Sequence, residues 1–343
     1  MSPVSSDGPW LVTGASGFLG RHLLEAIEAE PVRRPPIALL RDQRGWAALD
    51  WTATLPRVRL LEGSVTEPEG WTASPTLDGL AGIFHLAAEV RHGRGDAAAV
   101  RGTNVDGTLN MVRLAAARGC RLLVVSTSGT VGCFREPGPA PAEDAPYCER
   151  EVAGWPYYRS KIEAEQAARR LAGELGVELV ILRPPVLLGP GDHRFRSSQH
   201  VARLLRGKVP FLIRGGMHYA DVRDVAAALL RAMERATVRP VYHLPGTICS
   251  IEDFYREVAV LAGRRPPRAV VPFRLAWLAA TLTHRLGLSV LPEPRLLEMA
   301  SHHWGLRSRY AEAELGYRSR PGAETLRATI DWLTAHHPEL RGP

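Results

Sequence analysis

The segment that most restricts the fold stands near the start of the chain. Trp10 to Thr13 is a short apolar run that leads into Gly14-Ala15-Ser16-Gly17-Phe18-Leu19-Gly20, after which Leu23, Leu24 and Ile27 recur at helical spacing. Glycine permits a tight turn and a close backbone approach, and the helix behind it aims free amides and a positive dipole end at whatever lies in the turn. A glycine pattern alone says little, and a plain tight turn is the bland alternative. Between a strand and a helix, however, it predicts the cradle for a dinucleotide's pyrophosphate, with Gly14, Ser16, Gly17, Phe18, Leu19 and Gly20 around it.

Five further short apolar runs read as strands: Ile37 to Leu40, Val58 to Leu61, Gly82 to Leu86, Arg121 to Val125 and Val177 to Leu182. Val241 to Leu244 is an expected seventh, and helical patterns cover 104–117, 157–175 and 221–233. Buried strands alternating with helices predict an α/β fold, a Rossmann-type doubly wound parallel sheet of about seven strands. After Arg183-Pro184-Pro185 the pattern loosens into a loop-rich basic stretch, and from Ile251 onward the chain reads as helices joined by proline-bearing connections. The expected division is a dinucleotide domain of 8–185 plus 219–245 and a smaller, mostly helical substrate lobe of 186–218 plus 246–343.

The net charge of +7 comes from arginine scattered through all 343 residues, with no five-residue basic run. That distribution counts against a nucleic-acid groove and fits anionic small ligands. Cys120, Cys133, Cys148 and Cys249 show no paired spacing and read as free thiols of a reducing compartment. Met1 to Pro9 lacks an apolar signal core, so a cytoplasmic location is expected. The longest apolar stretch, Ala269 to Leu288, is broken by Pro272, Arg274, His284 and Arg285 and cannot span a bilayer. A core helix is its expected role, with contact to a bilayer surface or a greasy substrate as the alternative.

Lysine occurs only as Lys161 and Lys208, whereas arginine supplies the positive charge elsewhere. Lys161 follows Tyr157 by four positions, one helical turn along the same face. An ammonium beside a phenol favours the phenolate and is expected to lower the phenol's pKa, which suits proton transfer. The competing possibility is a solvated helix in which Lys161 pairs with Glu165. At the end of the second strand, Arg41 with Arg44 behind it would accommodate the 2′-phosphate of NADP, while Asp42 could instead hold the ribose of NAD.

Taken in order, these pieces resemble the extended short-chain dehydrogenase/reductase family. The resemblance is carried by the glycine loop, His85-Leu86-Ala87-Ala88, Asn104-Val105-Asp106-Gly107-Thr108, Ser126-Thr127-Ser128, the Tyr157/Lys161 pair and Arg183-Pro184-Pro185. Asp221-Val222-Arg223-Asp224-Val225-Ala226 and Glu314-Leu315-Gly316-Tyr317 are further landmarks. The resemblance implies that Tyr157 passes a proton to or from a substrate oxygen and that Lys161 tunes it and holds the nicotinamide ribose. Thr127 would bond the same oxygen, with Ser126 and Ser128 as the neighbouring registers. Asn104 would have a supporting role, or be a helix cap. Ser64, Val65, Leu86, Ala87, Ala88, Pro184 and Val186 would lie along the NADP or NAD. A homodimer through the helices at 104–117 and 157–175 is implied as well. Two positions depart from the family pattern: Gly63-Ser64-Val65 stands where Gly-Asp is usual, and Val131 where tyrosine is frequent.

Among the family's reactions, dehydration would require an acidic pair after Thr127, where this chain has Ser128-Gly129. A nucleotide-sugar epimerase would require cationic clamps, for which Arg194, Arg196, Arg203, Arg206 and Arg214 are candidates. Arg41 and the apolar 270–278 segment look more like the dihydroflavonol-reductase and hydroxysteroid-dehydrogenase branch. The expected activity is therefore NADP-dependent reduction of a small lipophilic carbonyl. An NAD-dependent epimerase is the alternative, and a cofactor-sensing regulator is a third. Glu89, His92, Ser128, Cys133, Trp155, His193 and Phe195 are candidate substrate-wall residues, and the 133–156 connection is the expected cover.

Overall fold

The structure, a computed structural model, describes residues 8–30, 35–91, 97–288 and 290–340. Twelve strands occur among them: β1 (Trp10–Thr13), β2 (Ile37–Leu40), β3 (Arg59–Glu62), β4 (Gly82–His85), β5 (Arg121–Val125), β6 (Cys133–Phe134), β7 (Leu179–Arg183), β8 (Val186–Leu188), β9 (Gly216–Asp221), β10 (Val241–His243), β11 (Thr247–Ser250) and β12 (His303–Trp304). Seven of them form one parallel sheet in the order β10-β7-β5-β4-β1-β2-β3. The order reverses between β1 and β4, whose carboxyl ends therefore open the crevice in which such sheets bind ligands.

The sheet is covered on both faces, as the continuous apolar strands predict. Val12, Ala38, Phe84, Leu123 and Val180 turn to one side, against helices Phe18–Glu28 and Val222–Glu234. Their neighbours Leu11, Ile37, Ile83 and Leu122 turn to the other, against helices Gly107–Arg118 and Pro156–Leu175. This alternation is the period-two geometry of a strand buried on both faces. β3 differs from the expected buried strand. It is the sheet edge, with Leu60 36% exposed.

Beyond residue 185 helices dominate, as expected, with a few short strands among them. β8, β9 and β11 form a three-stranded sheet, and β12 pairs antiparallel with β6. Strands of two to six residues, most of them under five, carry too few positions for a period to show. The return of Val241–His243 to pair with β7 follows the expectation for the seventh strand. Helix Phe273–Arg285 buries only Ala276 and Ala280, so the core helix expected there is apolar on its outer side too. No helix among the described residues is long and apolar enough to cross a membrane.

Candidate active site

The site forms where β1, β4 and β5 end. Gly14 takes a left-handed φ of +69°, and a Cβ on it would fall 2.7 Å from the Ala87 amide nitrogen. Glycine is thus required for the turns after β1 and β4 to meet. Helix Phe18–Glu28 begins at Gly17 with no side chain capping its amides, and a Cβ at Gly17 would meet nothing closer than the Gly14 carbonyl oxygen at 3.0 Å. An open, uncapped helix start over a glycine turn fits a pyrophosphate.

A buried hydrogen-bonded chain fastens this turn to the rest of the site. The Ala87 amide donates to Thr13 Oγ1 at 3.2 Å, and Thr13 Oγ1 lies 2.8 Å from His85 Nδ1. His85 Nε2 lies 3.1 Å from Thr108 Oγ1, whose hydroxyl donates to the Asn104 carbonyl at 2.6 Å. A neutral His85 protonated on Nε2 satisfies every link, and burial pushes its pKa down to about 3, which keeps it neutral. His85 passed as part of a loop motif in the sequence; its reach across 72 residues to Thr13 leaves no local signal.

Asn104 is not a helix cap. It sits in a π-helical turn, Gly102–Asp106, where its amide bonds both backbone groups of Glu89 and donates to Ser160 Oγ at 2.9 Å. It therefore ties the turn after β4 to the helix that carries Tyr157 and Lys161.

Of the three neighbouring hydroxyls, it is Thr127 that meets the Tyr157 phenol. Thr127 also accepts from the Gly129 amide at 3.3 Å. A Cβ at Gly129 would lie 2.1 Å from the Tyr158 ring, so an acidic side chain has no room there. Lys161 does not pair with Glu165. Its Nζ donates to the Val125 carbonyl at 2.9 Å, and Glu165 is gripped by Arg183, whose Nε donates at 3.0 Å. Burial brings Lys161 down to about 8, partly offset by the Glu165 charge. Burial pushes Tyr157 up to about 12 against the opposing Thr127 hydrogen bond. The shift is thus opposite to the lowering expected from lysine, because desolvation of the phenolate dominates.

Tyr157, Lys161, Thr127 and Ser128 line a cavity of about 440 Å³. Leu19, Leu86, Ala88, Pro184 and Val186, all expected along the cofactor, line the same cavity. Phe211, Ile213, Met217, Tyr255, Leu297 and Trp304 line it too, as do the polar Gln199, His200, Arg196, Arg203 and Lys208. These apolar residues come from segments without a motif, which is why the sequence did not point to them. His218 also lines the cavity; it is buried, accepts from the Gly246 amide at 3.1 Å through Nε2 and leaves Nδ1 without a partner.

Several candidates lie elsewhere. Trp155 and Cys133 belong to a buried cluster with Cys148 and Ile162, where Trp155 packs on Trp304 at 5.8 Å. Glu89 pairs with Arg91 at 2.9 Å. His193 lies against Trp51, and Phe195 packs on His337. His92 falls outside the described residues. Val65 is buried, its carbonyl accepting from Asn110, and the Ser64 hydroxyl is engaged with Thr66 at 2.8 Å. Arg41 is exposed at the end of β2. Arg194 reaches Ser16 of the glycine turn at 3.4 Å. The four cysteines are free.

Residues 10–244 match the NAD dependent epimerase/dehydratase family. The chain belongs to that family. It is an NAD(P)-dependent enzyme of the extended short-chain dehydrogenase/reductase type. It is 30% identical over 90% of its length to the 4-hydroxy-2-methyl-3-oxo-4-farnesyl-3,4-dihydroquinoline-1-oxide ketoreductase of Stigmatella aurantiaca, covering 91% of that protein. It is 27% identical to the type 7 3 beta-hydroxysteroid dehydrogenase of Mus musculus, over 97% of each chain. Dihydroflavonol 4-reductases of Hordeum vulgare and Zea mays match as well. The crystal structure of gox2253 superposes with a TM-score of 0.81 at 27% identity, covering 98% of this chain and all of the other.

Proposed function

We propose that this family member reduces the carbonyl of a small lipophilic substrate with NADPH, or oxidises the corresponding alcohol. The observation that carries the proposal is that Thr127, Tyr157 and Lys161 line one cavity together with a mostly apolar set of residues, among them Leu86, Val186, Phe211, Ile213, Met217 and Leu297. A mostly apolar cavity holds a ketone by excluding much of its surface from water, while a few polar groups receive its oxygen. The ketoreductase and hydroxysteroid dehydrogenase among the relatives are named for greasy, ring-containing substrates, which supports the same substrate class.

Bound NADPH supplies the hydride; the side chains supply position and a proton. Thr127 and Tyr157 together present two hydroxyls to the substrate oxygen, and Tyr157 releases its proton as negative charge develops there. The buried ammonium of Lys161 favours that charge, and Val125 holds it in place. Because Lys161 carries its charge only below about pH 8, kcat/KM for reduction is expected to be flat below that value and to fall above it. A pH profile checks this; a rate that climbs through pH 9 would contradict the assigned role.

The NADP preference rests on Arg41. Asp42, the residue that could have served NAD, accepts the Arg44 amide at 2.9 Å as cap of the next helix, while Arg41 remains exposed beside it. A charge-assisted bond to phosphate is worth roughly 1.5–3 kcal/mol. Arg41→Ala is therefore expected to weaken NADPH binding about ten- to a hundred-fold and NADH binding little, as read from titration of nicotinamide fluorescence.

The epimerase alternative draws on Arg196, Arg203 and Lys208, which also line the cavity. Purified protein carrying tightly bound NAD and ignoring NADPH would favour it. Protein that consumes NADPH with lipophilic ketones supports the reductase.

A further inference from the structure

Among the described residues, eight of the thirteen exposed large apolar side chains gather in one place. Val270, Leu275, Trp277, Leu278, Leu282, Leu286, Leu288 and Val290 fall within a single 21-residue span. Within it, Leu275, Leu278, Leu282 and Leu286 follow spacings of three, four and four, which put them on one face, and each is 58–66% exposed. The helix they ride on, Phe273–Arg285, already satisfies its inner face with Ala276 and Ala280. A surface helix ordinarily carries polar residues on its outer side. This one carries a row of leucines, and a contiguous exposed apolar patch marks a contact surface.

The charges around the row say what it contacts. From Val258 to Pro292 the chain has no aspartate or glutamate but five arginines: Arg264, Arg265, Arg268, Arg274 and Arg285. Helical geometry puts Arg274 and Arg285 along one flank of the leucine row, where long stems let their heads reach past the apolar side chains. Apolar residues edged by cations, on a helix too short and too broken to span, match the interface of an anionic bilayer.

The inner side of the same element backs the cavity wall. Ala276 and Ala280 pack with Ile213 and Leu297, and Phe211 and Ala300 join them; Phe211, Ile213, Leu297 and Ala300 also line the cavity. We propose that the outer face of the 273–288 segment docks on an anionic lipid surface, which sets the cavity's apolar wall against the layer where lipophilic molecules dissolve. The docking stands by itself; its use for substrate delivery rests on the lipophilic-carbonyl proposal.

The test is co-sedimentation of the whole protein with phosphatidylcholine vesicles, with and without phosphatidylglycerol. Binding is expected only with phosphatidylglycerol and is expected to weaken with salt. Leu278→Glu combined with Leu282→Glu should reduce the bound fraction at least about tenfold. Arg274→Glu combined with Arg285→Glu should reduce it about thirty-fold. Neither pair touches the cavity, so NADPH turnover of a water-soluble ketone measured in solution should match wild type, which also shows that the variants fold. No sedimentation by wild type, or equal sedimentation by wild type and both variants, overturns the proposal. So does a mass that doubles with concentration in wild type and not in the leucine variant, which would assign the face to a second copy of the chain. Vesicle binding with no ketone turned over would leave the docking standing and sink the substrate class.

Discussion

Replacing Tyr157 with phenylalanine is expected to cut turnover by roughly 10²–10⁴-fold, the usual contribution of a positioned acid. NADPH affinity and thermal stability should change little. The change removes one oxygen, and the ring can keep its contact with Tyr158 at 5.1 Å. The phenol's elevated pKa, about 12, means that it carries its proton throughout the working range and is ready to donate it. Oxidation of an alcohol, which needs the phenolate as base, should therefore demand the higher pH. Single-turnover rates for the variant, beside a fluorescence titration of NADPH, separate lost chemistry from lost binding. Retention of more than about a tenth of the rate would move the proton donor elsewhere.

The second large effect lies behind the site. Glu165 and Arg183 form an ion pair with side chains only 1% and 2% exposed. Tyr147 donates to Glu165 Oε2 at 3.0 Å, and Arg183 Nη1 lies 3.2 Å from His243 Nε2. Burial makes His243 neutral, with the Arg183 charge helping; it then accepts from Arg183 and donates through Nδ1 to the Arg307 carbonyl at 3.0 Å. Glu165→Ala leaves the guanidinium buried without its counter-charge and is expected to destabilise the fold by about 3–5 kcal/mol. Thermal or urea unfolding measures this. Burial pushes the Glu165 pKa up, but Arg183 outweighs it and holds the carboxyl below the usual carboxylate range. A carboxylate whose folded pKa is depressed stabilises the protein above the unfolded value, near ~4.3. That stabilisation is lost as pH falls through the folded value. The gap between wild type and variant should therefore be full at neutral pH and close in acid. A variant as stable as wild type at pH 7 would contradict the pair's role. The same carboxylate raises the Lys161 pKa, so Glu165→Gln should also shift the alkaline limb of the rate profile downward.

The parts of the molecule that were legible in sequence are those whose physics is local. The run Trp10 to Thr13, the glycine turn and the Leu23/Leu24/Ile27 stripe fix strand, turn and helix within twenty residues, and the sheet places them at the order reversal. The one-turn spacing of Tyr157 and Lys161 likewise sets both on one side of helix Pro156–Leu175, facing the cavity. What stayed hidden depends on burial and on distant partners. The direction of the Tyr157 shift follows from desolvation, which spacing does not reveal. Trp155 was expected as a cavity wall, but it packs inward on His302 at 4.9 Å and on Trp304, residues more than 140 positions away. The apolar walls at Phe211, Tyr255 and Leu297 share no spacing with the motifs. For Ala269 to Leu288, composition showed an apolar helix, but only its neighbours show that one face lacks cover.

The central claim is that Tyr157 and Lys161 serve hydride transfer to a lipophilic carbonyl. It is tested most directly by supplying NADPH deuterated at the transferable position of the nicotinamide, offering a panel of lipophilic ketones and weighing the products by mass spectrometry. An alcohol with one deuterium on its carbinol carbon, formed by wild type and reduced at least a hundred-fold in Tyr157→Phe, is the predicted result. Bound NADPH with no deuterated alcohol from any lipophilic ketone, or equal labelling by the variant, would contradict it.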